Sequence, residues 1–178
     1  LGIVVYVTDG GKHGQIMAPW PIDKDGNKGN SNDVKVMWST EFVDISGLPN
    51  ITDAAEASQD YDSCGNTDKI VAAGNAGTYP AAWATRKYAP TTATSGKWCL
   101  PAAGIMTNIY NNLSAIKTAI SKVGGVEYPI CCTWSSTENY SKGVWEYNYV
   151  STYGLVNSGK CNSSGVSQTS DVRPVLEF

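Results

Sequence analysis

Residues 102–123 constrain this chain more than any other stretch. Within them Ile105, Ile109, Leu113, Ile116, Ile120 and Val123 recur at three- and four-residue spacing. That is the stripe of a helix lying with one face on a core. Asn111-Asn112 marks a break, giving two helices or one kinked helix, and Gly124-Gly125 ends the run. A striped helix needs something to cover, and the two chain ends supply it. Residues 1–8 are β-branched and aromatic and read as a strand; Asp9-Gly10-Gly11 is a turn, and residues 14–18 return as the second strand of a hairpin. Residues 128–135, 143–150 and 172–178 read as three further strands. Strands at both ends with helices between them predict an α+β domain whose N- and C-terminal strands pair.

The region between is read from its punctuation. Residues 34–39 alternate apolar and polar, as a short strand does. Residues 53–59 begin a helix with Thr52 or Asp53 as N-cap. A second helix covers 66–74 and stops at Gly74, and a third covers 79–88 with Pro80 in its first turn. Residues 90–96 form a Thr/Ser-rich loop. Asp23-Lys24-Asp25-Gly26-Asn27-Lys28-Gly29 places oxygens at alternate positions, as a calcium loop does. The glycine required at the sixth position is Lys28, however, and the bidentate Glu at the twelfth is Val34. A plain polar loop is the better reading. At 178 residues the chain fits one domain.

Residues 139–171 are rich in Asn, Ser, Gly, Tyr and Thr, a composition that ordinarily means a disordered tail. Here Trp145, Tyr147, Tyr149, Leu155 and Val156 interrupt it, and an apolar strand follows. Those anchors belong to a folded scaffold that displays a polar surface. Six Trp and ten Tyr against two Phe point the same way, since Tyr and Trp keep one polar atom and suit recognition surfaces. A net charge of −3 with no Lys/Arg cluster argues against nucleic acid as partner, and no apolar run approaches a membrane span. The chain starts at Leu1 and has no signal-peptide pattern. It reads as a processed or trimmed chain whose targeting signal or lipid anchor is gone. Low charge and many Gly, Asn, Thr and aromatic residues suggest a cell-surface or extracellular protein. The cysteines are Cys64, Cys99, Cys131, Cys132 and Cys161. Five is odd, so at least one is unpaired or pairs with a partner, and no metal-ligand spacing is present. Adjacent Cys131 and Cys132 disfavour a bond to each other. Buried small side chains with one bridge are the simplest account.

Four blocks stand in order along the chain: Gly96-Lys97-Trp98-Cys99-Leu100-Pro101-Ala102-Ala103-Gly104, Trp134-Ser135-Ser136-Thr137-Glu138, Val144-Trp145-Glu146-Tyr147-Asn148-Tyr149, and Val172-Arg173-Pro174-Val175. Together they resemble a bacterial family of C-type-lectin-like domains, known as a domain of unknown function or the "major paralogous domain" of surface proteins. The resemblance spans residues 1–178 and is most specific from Trp98 onward. It implies a C-type-lectin-like fold, cell-surface exposure and, in some members, variation driven by a diversity-generating retroelement that scrambles Asn codons. Scrambling such codons yields Ser, Tyr, Asp, Gly, Cys, Thr and His, several of which crowd residues 139–171. A lone Cys161 in a polar loop suits a scrambled codon better than a disulfide. Ile105 departs from the family's acidic residue after the helix-opening glycine. The sugar-binding triplets of animal C-type lectins are missing.

The expected function is therefore non-catalytic, adhesin-like ligand binding with no cofactor. The partner expected is a protein or glycan on another surface. The display face comprises Asn139, Tyr140, Ser141, Glu146, Asn148, Tyr153, Asn157, Ser158, Cys161 and Ser163. Trp98 and Trp134 are expected in the core. Glu138 should fix a loop through hydrogen bonds, and Arg173 should make an ion pair or bond backbone carbonyls. The single histidine, His13, reads as a solvated turn residue, and no Ser/His/Asp grouping forms around it. A structural or tip subunit of a surface appendage is the alternative. An enzyme of the formylglycine-generating type is the remoter one, because its Arg-Gly-Gly-Ser-Trp signature is absent.

Overall fold

The helical stripe rests on a three-stranded sheet built from both chain ends. The structure, a computed structural model, describes residues 2–32, 34–128, 132–140, 143–148, 154–159 and 169–178; for 140, 145–148 and 154–159 it describes the backbone alone. In chain order the elements are β1 (Ile3–Thr8), β2 (His13–Met17), β3 (Val36–Met37), α1 (Ala54–Ala57), α2 (Ser63–Ala73), α3 (Pro80–Lys87), α4 (Ala103–Asn111), α5 (Leu113–Lys122), β4 (Thr133–Tyr140), β5 (Gly143–Asn148), β6 (Gly154–Gly159), β7 (Thr169–Ser170) and β8 (Val175–Glu177). The fold is α+β.

β1 and β2 form the expected antiparallel hairpin. Asp9, Gly10 and Gly11 all take positive φ in its turn, which two glycines in succession make inexpensive. The C-terminal strand joins this hairpin, but through β2 rather than β1: the sheet order is β1-β2-β8, with Met17 opposite Val175. Each strand of the hairpin keeps one open edge, and β8 takes the one on β2, leaving β1 at the edge of the sheet. The pairing continues irregularly beyond the ladder, where Ala18 N–H donates to the Pro174 carbonyl at 2.8 Å. Ile105, Ile109, Ile116 and Ile120 pack on this sheet with Ile3, Val5, Met17, Tyr128 and Val175. Each isoleucine so buried stabilises the fold by about 1.5–3 kcal/mol. The break at Asn112 separates α4 from α5, as the paired asparagines predict.

A second core lies on the other side. It collects Trp38, Trp98, Trp134, Tyr79, Tyr88, Ile22 and Leu100. The Tyr88 and Trp98 rings meet edge to face at 4.9 Å. Cys64 in α2 is bonded to Cys99, closing a loop of sequence separation 35. By the chain-entropy account a loop of that length contributes about 4 kcal/mol.

Several boundaries differ from expectation. α2 starts at Ser63 because the Asp62 carboxylate accepts from Gly65 N–H at 2.9 Å and nucleates it early. α1 keeps Asp53 as its cap. β4 runs from Thr133 to Tyr140 instead of over 128–135, since its ladder partner β5 lies beyond position 140. The polar segment contains a strand, β6, that its composition conceals. It closes a sheet of order β4-β5-β6, and the short β7 pairs with β3.

Candidate binding surface

β4 is the platform on which the polar segment folds. Thr133, Trp134, Ser135, Ser136, Thr137, Glu138 and Asn139 are all buried, the most exposed at 4%. Seven consecutive buried residues, six of them polar, cannot come from alternation. They require cover on both faces and a partner for nearly every polar atom. Two tryptophans supply part of this by crossing. Trp134 Nε1 donates to the Val36 carbonyl at 2.7 Å, and Trp38 Nε1 donates to the Ser135 carbonyl at 2.8 Å. Each indole thus holds the other's strand. A bulge falls between Trp134 and Glu138, which oppose Glu146 and Val144 on β5. The extra β4 residues it inserts are turned inward.

The inward residues grip the helix-opening block. Ser136 N–H donates to the Pro101 carbonyl at 2.8 Å. Ala103 N–H donates to Thr137 Oγ1 at 2.9 Å, and Thr137 Oγ1 donates in turn to Asp60 Oδ2 at 2.6 Å. That carboxylate also accepts from Asn66 Nδ2 at 2.8 Å. Leu100 and Ala102 donate their N–H groups to Thr67 Oγ1 and Ser63 Oγ, each at 2.9 Å. Gly104 N–H donates to the Asp60 carbonyl at 2.8 Å. A side chain at Gly104 would sit 2.5 Å from that oxygen, so only glycine permits the approach. The first turn of α4, whose N-cap is an alanine, is capped by residues distant in sequence. Asp60 organises this hub, and sequence reading missed it because nothing in Asp60-Tyr61-Asp62 marks one carboxylate as central.

The closing block is fixed as firmly. Trp134 N–H donates to the Asp171 carbonyl at 3.0 Å, while Cys99 and Val175 exchange two backbone bonds of 2.8 and 2.9 Å. The Asp171 carboxylate is fully buried and pairs with Lys35 at 3.0 Å. Arg173 is fully buried too. Its guanidinium donates to the carbonyls of Pro19, Val126 and Glu127 and to Asn32 Oδ1 at 2.7–3.2 Å. Tyr128 lies 5.2 Å away across its ring. Burial pushes the guanidinium below its ordinary pKa, against the opposing pull of Tyr128 and Asp171. Arg173 is thus a clamp on backbone carbonyls, as expected. Trp98 and Trp134 are core, also as expected. The Glu138 carboxylate accepts from Ile45 N–H at 3.4 Å and so fixes the 45–51 loop.

The expected display residues fall unevenly on this frame. Asn139 is buried and donates from Nδ2 to the Ile51 carbonyl at 3.3 Å, so it tethers a loop rather than facing a ligand. Tyr140 ends β4 opposite Gly143. Glu146 lies between Trp134 and Val156, and Asn148 opposite Gly154. The side chains of Glu146 and Asn148, expected on the display face, lie outside the described residues. Asn157 and Ser158 lie on β6, the outer strand, opposite Trp145 and Val144. Ser141, Tyr153, Cys161 and Ser163 lie outside the described residues, as does the Trp145 side chain.

The other chemistry-bearing groups are quieter. His13 is exposed at the start of β2. In the 23–29 loop the Asp23 carboxylate is taken up by Asp25 N–H, Asn27 N–H and Asn27 Nδ2 at 2.8–3.1 Å. Burial pushes that carboxyl up, but these donors outweigh it and hold it below its ordinary range. Among the described residues no group of three His, Cys, Asp or Glu is placed to hold a metal, and no helix is long and apolar enough to cross a membrane. Compared with known proteins, the chain matches no family model and no curated sequence.

Proposed function

We propose that the protein is a non-catalytic, adhesin-like binding domain of the C-type-lectin-like kind, which presents the polar segment 139–171 to a protein or glycan on another surface. The observation that carries this reading is the buried β4 platform. A strand with every residue from 133 to 139 buried supports two further strands, β5 and β6, made from the Asn/Ser/Gly/Tyr-rich segment. A rigid base under an adaptable polar surface keeps the ordering entropy of binding small, as in an antibody paratope. The lectin-like assignment is supported by the pairing of the N-terminal hairpin with the closing strand. It is also supported by the meeting of blocks far apart in sequence: Pro101 with Ser136, Cys99 with Val175, Trp134 with Asp171. The Cys64–Cys99 bridge fits the oxidising surroundings of a cell surface or the extracellular space.

Diversification by a retroelement is part of the proposal, and sequencing of the same locus across related clones tests it. Differences should concentrate in 139–171 and spare 134–138 and the buried Asn139, and a near-copy of the segment should stand beside the gene. Differences spread evenly along the chain would refute it.

A further inference from the structure

We infer that the Cys64–Cys99 bridge is an exchange site for small thiols, with Cys64 as the sulfur that is attacked and Cys99 as the one that leaves. It goes beyond the binding surface proposed above and does not depend on it. The bridge is asymmetric in burial. Cys99 is fully buried, whereas Cys64, in the first turn of α2, is partly exposed. A thiolate arriving from solvent meets one end of the bridge and not the other.

The buried end is built to receive the charge that exchange creates. Arg86, in the last turn of α3, places Nη1 3.4 Å from Cys99 Sγ. The same nitrogen donates to the Gly96 and Trp98 carbonyls at 3.1 and 3.2 Å, and Nη2 donates to Asp68 Oδ1 at 2.5 Å. These bonds fix the guanidinium against the sulfur. The Arg86 side chain is mostly buried, so its field at Cys99 is weakly screened, while Asp68 is largely exposed and on the far nitrogen. A neutral disulfide makes little use of such a cation, and a departing thiolate makes much of it. The Lys97 carbonyl lies 3.3 Å from the same sulfur, placed to accept from it once it is a thiol. The freed sulfur thus has a partner in either protonation state.

In the exchange an incoming thiolate bonds to Cys64 Sγ, the Sγ–Sγ bond breaks, and its electron pair stays on Cys99 Sγ. The products are a mixed disulfide on Cys64 and a thiolate held by Arg86, with no oxidant consumed. Attack of that thiolate back on Cys64 expels the small thiol and restores the bridge. The two sulfurs stay within reach of each other meanwhile. Ser63 and Thr67, either side of Cys64 in α2, accept from Ala102 and Leu100 N–H at 2.9 Å each, so α2 and the 96–104 block remain joined when the bridge opens.

Incubation of the 178-residue chain in a cysteamine–cystamine buffer, followed by acid quenching and peptide mass spectrometry, tests the inference. The cysteamine adduct from the bridge should map to Cys64 and not to Cys99. Arg86→Gln should slow opening of the bridge about tenfold, the loss expected when a leaving thiolate gives up a charge-assisted hydrogen bond. The sign separates this role from a packing role, because loss of a purely structural clamp would loosen residues 96–99 and speed opening. The adduct map of the unaltered chain carries the test even if Arg86→Gln fails to fold. An adduct on Cys99, a bridge that stays closed in excess thiol, or unchanged or faster opening in folded Arg86→Gln would each overturn the assignment.

Discussion

β1 and β4 are both antiparallel strands, yet they are built on opposite rules. β1 is apolar in sequence and half exposed: Ile3 and Val5 are buried, while Val4 and Val7 are 56% and 53% exposed. β4 is polar in sequence, and residues 133–139 are wholly buried. In β1 apolar residues need only a covered face, because the backbone takes care of its own hydrogen bonds. In β4 nearly every polar atom must find a partner at a fixed place, since an orphaned buried group costs about 1–3 kcal/mol. Hydropathy therefore reads β1 and misreads β4. What distinguishes the buried polar strand is geometry supplied by Asp60, Trp38 and the block around Pro101, and no local pattern reports it.

The comparison is tested most severely at Trp134, which β4 uses as both core and hydrogen-bond donor. Trp134→Ala should cost about 3–5 kcal/mol, the usual loss for a buried tryptophan, and leave the Val36 carbonyl without its indole donor. Chemical denaturation should show the midpoint falling by that amount with little change in slope, or no folded state at all. A loss under about 1 kcal/mol, within the range of ordinary surface changes, would mean that β4 is not the platform described.

Much of the scaffold was legible. The stripe from Ile105 to Val123, the break at Asn111-Asn112, the hairpin at Asp9-Gly10-Gly11 and the Asp53 cap all follow from spacing or capping chemistry that acts within a few residues. Arg173 was legible as a structural group, ion-paired or bonded to backbone carbonyls, and packing chose the carbonyls. Long-range matters were not legible. The sequence alone does not show that β8 joins β2 instead of β1, that Asp60 reaches Thr137 across 77 positions, or that Asn139 turns inward to Ile51. Periodicity sees neighbours along the chain, and these contacts are set by packing.

A finer break lies between adjacent hydroxyls. Thr137→Val keeps the shape but removes the oxygen that accepts from Ala103 N–H and donates to Asp60. It should cost about 1–3 kcal/mol by leaving the α4 N-terminus and a carboxylate short of a partner. Ser136 Oγ is also buried, yet among the described residues it has no hydrogen-bond partner. Ser136→Ala should then be neutral within about 0.5 kcal/mol, or stabilising. Equal losses at the two sites would show that burial alone, and not partnership, sets the value of a hydroxyl in β4.

The reciprocal exchange in β1 completes the argument and carries the smallest effects. Val5→Thr puts a hydroxyl where an apolar contact stood, in a site 5% exposed against Ile109 and its neighbours. Nothing there is arranged to receive a donor, apart from the Val5 carbonyl already bonded by Asn108. The cost should fall at the low end of the about 1–3 kcal/mol seen for an unpaired polar group, because β1 is an edge strand and can shift slightly toward water. Val4→Thr, one residue away on the open face, should stay within about 0.5 kcal/mol. Thermal melts of the two variants would separate them by a few degrees. If they melted together, β1 would have no inner and outer face, and the contrast with β4 would fail at its simpler end.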